Sequence, residues 1–248
     1  DGHGPHDIRP AQGERRQLQG AGIDRAGVAG AIVVAAGRSR RLGRDKPFLT
    51  LLDRPLLAWT LTALEASPSL SQVVLVVNRD NMEAARRLAG SFPKVKGLCL
   101  GGERRQDSVA AGLAETGGWE WVVVHDAARP CLTPDLVERG LEAARGTGAA
   151  IAGVPAVDTI KVVDEAGVVE ATPPRARLWL AQTPQVFRRD ILAHAHRSPA
   201  AEATDDSSLV EALGYRVKVY MGAYDNIKVT TEEDLALAEA ILRRRHAI

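Results

Sequence analysis

The sequence predicts an α/β fold: a largely parallel, twisted sheet flanked by helices, with a projecting β-arm. Three observations carry this. Apolar runs stand at Ala31–Ala36, Gln72–Val77, Trp121–His125 and Ala149–Pro155, each of a length and apolarity suited to a strand buried on both faces. Stretches with apolar residues at helical spacing separate most of them, as crossovers between parallel strands require. After Thr159 the pattern changes, and two short segments flank an acidic turn that contains glycine.

In chain order, Ala31–Ala36 runs into Gly37. The loop that follows, up to Lys46, holds Arg38, Arg40, Arg41, Gly43 and Arg44. A loop after a parallel strand lies at the carboxyl edge of the sheet, where open α/β folds bind ligands. Glycine lets backbone N–H groups approach a ligand and the cations neutralise it, which suits a polyphosphate. The glycine spacing matches neither the dinucleotide fingerprint nor the P-loop. A solvated basic turn is the plain alternative.

Arg54–Ser67 reads as a helix stopped by Pro68, Gln72–Val77 as a strand and Asn81–Phe92 as a helix. Val95–Leu100 is a strand that runs into Gly101-Gly102, and Arg104–Thr116 the helix after it. Trp121–His125 is a strand that ends at Asp126. Thr133-Pro134-Asp135 supplies a cap, a first-turn proline and a first-turn acid for a helix reaching Arg145. The strand Ala149–Pro155 comes next. Thr159–Val163 and Val168–Ala171, joined by Asp164–Gly167, form a predicted hairpin. Two strands alone are marginal, so the arm is expected to pack on something, such as a second subunit. Short helices at Asp190–His196 and Asp205–Leu213 and a late strand at Tyr215–Tyr220 complete the sheet region. Thr230 and Thr231 with Glu233 and Asp234 form a capping box for the last helix.

Residues 1–29 carry many Gly, Arg, Gln and Asp residues and neither period, so they are expected to be a disordered extension. Residues 30–248 then form one domain, with the arm at about 158–177. A net charge of +1 over 248 residues argues against a general nucleic-acid binder. No apolar run reaches membrane-spanning length. Cys99 and Cys131 give neither a disulfide framework nor a metal motif, and fit a reducing, cytoplasmic setting.

Polar clusters recur where strands end. Gly101–Ser108 combines a glycine pair with a helix N-terminus, whose free N–H groups favour anions. Asp126 follows the most apolar strand and suits a metal or a ribose hydroxyl, while Arg129 suits a phosphate. Lys228 precedes the last helix start. Taken singly, each has an ordinary reading as a turn, a surface ion pair or an exposed lysine.

Taken together they resemble one family. AAGRSRRLG, GGERRQDSV, VHDAARP, VDTIK, TPQVF and DNIKVT occur in the order found in 2-C-methyl-D-erythritol 4-phosphate cytidylyltransferases of the non-mevalonate isoprenoid pathway. The resemblance runs from about Gly30 to Arg243. It implies a single Rossmann-like nucleotidyltransferase domain whose β-arm exchanges contacts in a homodimer. It implies transfer of the cytidylyl group of CTP to methylerythritol phosphate, with Mg²⁺ held mainly by the CTP phosphates. Arg41 and Lys46 would stabilise the phosphorus under attack. Ala35, Ala36, Gly37, Gly102, Glu103, Ser108 and Asp126 would hold the nucleotide, with Glu103 standing where Asp is common. Asp126, Arg129, Thr159, Arg175, Thr204, Lys228 and Thr230 would surround the second substrate, and Arg175 and Lys228 would orient its phosphate. Thr159 and Arg175 would act across the dimer interface. A ribitol 5-phosphate cytidylyltransferase and a non-catalytic nucleotide-binding protein are the alternatives. His125 reads as structural, because an anionic phosphate nucleophile has no proton to give up.

Overall fold

The computed structural model describes residues 28–37, 46–198 and 203–246. Strand β1 (Ala29–Ala35) is followed by a small hairpin, β2 (Thr50–Leu51) and β3 (Arg54–Pro55). Then come α1 (Leu56–Glu65), β4 (Leu70–Val77), α2 (Met82–Ala89), β5 (Val95–Leu100), α3 (Arg105–Ala114) and β6 (Trp121–Asp126). Next are α4 (Pro134–Ala144), β7 (Ala149–Pro155) and the arm strands β8 (Val162–Val163) and β9 (Val169–Ala171). The chain returns through β10 (Trp179–Arg188), α5 (Arg189–Arg197), α6 (Asp206–Ala212), β11 (Lys218–Met221) and α7 (Glu232–His246).

Seven strands form one sheet in the order β11-β7-β10-β6-β1-β4-β5. Strand β1 runs parallel to β4 and β6, β4 to β5, and β7 to β11. The two-residue period of a strand sends alternate side chains to opposite faces. Ala31, Val33 and Ala35 of β1 therefore join Leu57, Leu61 and Leu64 of α1 and Leu136 and Val137 of α4. Ile32 faces the other way, with Val109 and Leu113 of α3 and Ile191 and Leu192 of α5. Each fully buried Val or Leu in these layers contributes about 1.5–3 kcal/mol. A third cluster, including Leu56, Trp59, Ile241 and Leu242, fastens α7 to α1. Burial in that cluster pushes the Cys131 thiol up to about 12, which keeps it protonated.

The helix signals in the sequence act as expected. Thr133 Oγ1 accepts the Leu136 N–H at 3.3 Å, and Pro134 opens α4. Thr231 Oγ1 accepts the Asp234 N–H at 3.3 Å while the Asp234 carboxylate accepts the Thr231 N–H at 2.9 Å, a reciprocal box that starts α7. The late strand is shorter than its pattern, beginning at Lys218.

Strand β10 is the element the apolar pattern did not reveal. It lies in the middle of the sheet, antiparallel to both β6 and β7. A proline in a central strand costs a ladder hydrogen bond, so Pro184 does not fit an unbroken strand here. The structure resolves the conflict with a shift in register. Ala181 pairs with Gly153 and Gln185 with Ile151, so residues 182–184 bulge from the ladder and no bond is required of Pro184.

The arm hairpin forms where its turn signal stands, but its strands are shorter than the expected Thr159–Val163 and Val168–Ala171. Strands β8 and β9 pair only with each other among the described strands. In their turn, Asp164 Oδ1 accepts the N–H groups of Ala166 and Val168 at 3.0 and 2.8 Å. Gly167 supplies the positive φ of +80° that this turn requires.

Candidate active site

Two clefts open at the carboxyl ends of the parallel strands. The first, about 900 Å³, is bordered among the described residues by Ala36, Asn78, Arg79, Gly101, Gly102 and Glu103, together with Leu100 and Arg104. These come from the ends of β1, β4 and β5 and the start of α3. The glycine pair is needed for steric reasons: a Cβ on Gly101 would collide with Ala36 Cβ and lie 2.6 Å from Ser108 Oγ. Ser108 itself is buried behind this turn, where its hydroxyl donates to the Arg104 carbonyl at 3.2 Å. Ala35 is buried in β1, and Gly37 is exposed beside the cleft.

The second cleft, about 410 Å³, is lined by Asp126, Arg129, Thr204 and Lys228, and by residues of β10 and α6. Its centre is Asp126, 7% exposed. Asp126 Oδ1 accepts from Arg105 Nε at 3.0 Å, and its Oδ2 lies 2.8 Å from Lys228 Nζ. Burial alone would push this carboxyl up, but Arg105, Lys228 and Arg129 reverse that and hold it far below the usual carboxylate range. The carboxylate is therefore ionised and held among three cations, while over the cleft as a whole Arg105, Arg129 and Lys228 are matched by Asp126, Asp205 and Glu211.

The β10 bulge builds the floor of this cleft. Thr183 Oγ1 accepts the Asp126 N–H at 3.1 Å and lies 3.0 Å from His125 Nδ1. Asn226, fully buried, donates its amide to the Thr183 carbonyl at 2.8 Å, and its own backbone carbonyl accepts from Arg129 at 2.8 Å. The Val229 N–H donates to the Ala128 carbonyl at 2.8 Å, so Lys228 is held between two fixed neighbours.

His125 sits beneath Asp126 and is fully buried. Its Nε2 lies 3.2 Å from the Arg129 carbonyl, which can only accept, so Nε2 carries the proton. Its Nδ1 then accepts from the Thr183 hydroxyl. Burial pushes its pKa from 6.5 down to about 4, which keeps the ring neutral and structural. The sign for stability follows. Between pH 6.5 and about 4 the unfolded chain takes up a proton here that the folded chain does not, so stability falls as pH falls. Lowering the pH from 7 to 5 should cost about 2 kcal/mol through this residue. Urea unfolding of the protein and of His125→Gln at both pH values checks this; an equal pH loss in the two proteins would refute it.

The structure gathers Ala36, Gly102 and Glu103 at the first cleft and Asp126, Arg129, Thr204 and Lys228 at the second. Thr230 lines neither cleft, and its hydroxyl donates to Asp234 at 2.6 Å within the α7 cap. Thr159 and Arg175 are exposed on the arm and line neither cleft of their own chain; the Arg175 guanidinium donates to the Val157 carbonyl. Arg41 lies outside the described residues, and Lys46 opens a short 3₁₀ turn, Lys46–Phe48. Arg105 and the β10 residues Gln182 and Thr183 were not singled out from sequence. The doublet Arg104-Arg105 at a helix start was the available signal for the first, and TPQVF for the others.

Comparison with known proteins accords with this geometry. A family model described as 2-C-methyl-D-erythritol 4-phosphate cytidylyltransferase (IspD) matches residues 29–244. The chain is 48% identical over 218 residues to the protein of that name from Dehalococcoides mccartyi, covering 87% of this chain and 96% of that one. Against the Desulforamulus reducens protein it is 43% identical over 225 residues, with 87% and 96% covered. Among solved structures, 4-diphosphocytidyl-2C-methyl-D-erythritol synthase from Anaerococcus prevotii aligns with a TM-score of 0.80 at 29% identity, covering 88% of this chain and 97% of that one. The Thermus thermophilus cytidylyltransferase gives 0.71 at 35% identity, covering 86% and 98%. With its sheet, its two strand-end clefts and these relatives, the chain belongs to the 2-C-methyl-D-erythritol 4-phosphate cytidylyltransferase family.

Proposed function

We infer that the protein transfers the cytidylyl group of CTP to 2-C-methyl-D-erythritol 4-phosphate, releasing pyrophosphate, and so serves isoprenoid precursor synthesis. The single observation that carries this is the pair of adjoining clefts, one lined by the strand-end turn Gly101-Gly102 with Asn78, Arg79 and Glu103, the other holding Arg105, Arg129 and Lys228 around a buried carboxylate. In this reading the nucleotide lies in the first cleft, against Ala35–Gly37, Gly102 and Glu103, with Ser108 supporting the turn from behind. The second substrate lies by Asp126, Arg129, Thr204 and Lys228, with Thr230 steadying the Lys228 segment through the α7 cap.

The chemistry then needs no base. A phosphate oxygen of the second substrate attacks the α-phosphorus in line; a new P–O bond forms and the bond to pyrophosphate breaks. The barrier is repulsion between two anions, so the protein's work is alignment and charge neutralisation. Lys228 orients the attacking phosphate, and Arg41 and Lys46 stabilise the charge on the phosphorus in the transition state. Among the described residues no group of three or more His, Cys, Asp or Glu side chains stands ready to cage a cation. Both Asp126 oxygens are engaged by cations. This donor set suits an Mg²⁺ ion carried chiefly by the CTP phosphates, where it would supply further charge neutralisation.

The arm supports a homodimer. Val157, Val162, Val163, Val168, Val169, Trp179 and Leu180 are all exposed large apolar residues on or at the root of one projection. A partner subunit covering them would bring Arg175 and Thr159 to the neighbouring second cleft. No helix among the described residues is long and apolar enough to cross a membrane, and with two free cysteines we place the enzyme in the cytoplasm.

The test is a pyrophosphate-release assay that pairs each nucleoside triphosphate with methylerythritol phosphate and with ribitol 5-phosphate. In this reading the backbone at Gly102 and the Glu103 residue read the amino edge of cytosine, so CTP with methylerythritol phosphate should dominate. Comparable turnover with ATP or GTP, or faster turnover of ribitol 5-phosphate, would overturn the assignment.

A further inference from the structure

Asp206 is a fully buried carboxylate that the proposed chemistry does not use. It opens α6, directly after its capping residue Asp205, whose Oδ1 accepts the Ser208 N–H at 3.0 Å. Asp205 Oδ2 in turn accepts from Gln185 of β10 at 2.7 Å, so the start of α6 is locked to the middle of the sheet. Asp206 Oδ2 accepts from Arg105 Nη1 at 2.6 Å, and its Oδ1 lies 3.0 Å from His196 Nε2 on α5. Arg105 thus spans two carboxylates: Nη1 on Asp206, and Nε on Asp126 Oδ1 at 3.0 Å.

That division of labour has a geometric result. Arg105 is the residue after Arg104, so one turn of backbone borders the first cleft with one residue and the second with the next. A guanidinium held by a single carboxylate would turn its fork to make a two-point grip on it. Asp206 takes Nη1 and Asp126 takes Nε, while Nη2 is buried without a hydrogen-bond partner, so the guanidinium is shared between the two carboxylates and closes a two-point grip on neither. Asp126 Oδ2 is left to Lys228 at 2.8 Å. Burial raises the cost of ionising Asp206, but Arg105 and His196 more than offset it, and its pKa lies below the usual carboxylate value. A buried carboxylate kept charged in this way is an expensive feature, and removing either partner leaves the other uncompensated.

We propose that Asp206, buttressed by His196, is a positioning residue for the second substrate: it fixes the Arg105 guanidinium so that Asp126 and Lys228 keep the spacing that receives the attacking phosphate. The proposal rests on the cytidylyltransferase reading and deepens it. Asp206 lines neither cleft, so it acts through Arg105.

The experiment uses the full chain, with CTP and methylerythritol phosphate varied separately, CTP affinity measured by calorimetry and stability by urea unfolding. Asp206→Asn should lower kcat/KM for methylerythritol phosphate by roughly ten- to a hundredfold, as misplacement of a reacting group by about 1 Å does. Its CTP dissociation constant should stay within about twofold of the wild type, because the first cleft is untouched. Arg105→Lys replaces the fork with a point charge unable to hold both carboxylates, and should show the same split. In the Arg105→Lys background, Asp206→Asn should add less than about threefold, the non-additivity expected of residues that act in series. Three results would overturn the proposal: unchanged kcat/KM for methylerythritol phosphate in either variant, equal losses for both substrates, or full additivity. If Asp206→Asn does not fold, Arg105→Lys alone decides by the first two criteria. Wild-type turnover is measured first; its absence would strike the cytidylyltransferase reading itself rather than the role of Asp206.

Discussion

Lys228→Ala should lower kcat/KM for methylerythritol phosphate by about a hundred- to a thousandfold, the loss typical of one preorganised charge contact at a reacting group. The ammonium lies 2.8 Å from Asp126 Oδ2 and its side chain is 44% exposed, so it faces both the buried carboxylate and the open cleft. Its place is fixed from either side, by the Asn226 amide on the Thr183 carbonyl and by the Val229 N–H on Ala128. Removing the side chain deletes a phosphate-orienting cation without disturbing that frame. The KM for CTP should change by less than about threefold, and the urea midpoint should fall only modestly, since Lys228 is half-exposed and Arg105 still holds the buried Asp126 carboxylate once the lysine is gone. Lys228→Arg should recover activity only in part, because a planar fork does not fill the place of a compact point charge. Steady-state kinetics with each substrate varied in turn decides the matter. A KM for CTP that climbed as steeply as the loss in kcat/KM would make Lys228 a nucleotide ligand instead.

A mixed dimer should regain activity that neither parent has. Arg175→Ala and Arg41→Ala are each expected to be nearly inactive alone, with kcat down at least about a hundredfold for Arg41→Ala. Arg175 is exposed on the arm and bonded to the Val157 carbonyl, away from the second cleft of its own chain. If a partner's arm completes each site, a hybrid of the two variants carries both lesions in one site and none in the other. Random mixing makes half the dimers hybrid, so about a quarter of wild-type activity should return. Sites built wholly within one subunit would each keep one lesion, and none would return. Hybrid dimers shown to form, yet inactive, would end the shared-site reading and leave the cytidylyltransferase assignment intact.

Much of this architecture is legible locally. Val33 and Ile32 state their faces by alternation, Thr133 and Thr231 announce helix starts by their capping chemistry, and Asp164 with Gly167 marks the arm's turn. These signals work because the groups that interact lie within four residues of one another. What escaped the sequence depends on distant partners. Strand β10 was hidden because Pro184 contradicts a central strand unless a bulge removes its ladder bond, and only the pairing with β7 shows that bulge. The Arg105–Asp206 pair joins residues 101 positions apart, and no spacing rule connects them. The two clefts were legible at Gly102, Asp126 and Lys228, since loops after parallel strands collect at one edge. Their separation into two neighbouring compartments, divided at Arg104 and Arg105, was not.

The central antiparallel strand also sets an order of assembly. Residues 28–155 contain five of the seven sheet strands and β7, the last of these, has no neighbour among the other four. As the chain leaves the ribosome, β6 and β7 each present an unpaired edge that waits through the whole arm for β10 to be made. Such edges invite pairing with other chains, and non-local pairings of this kind form slowly because loop closure precedes any gain. The Ala156 N–H bonded to the Leu178 carbonyl at 2.9 Å pinches the arm shut at its root. That clasp shortens the effective loop from β7 to β10 and sets the returning strand beside its first partner. The nascent chain thus joins β7 to the rest of its sheet at the centre, with the arm's root as the point from which that pairing runs, and β11 adds to the outer edge of β7 afterwards.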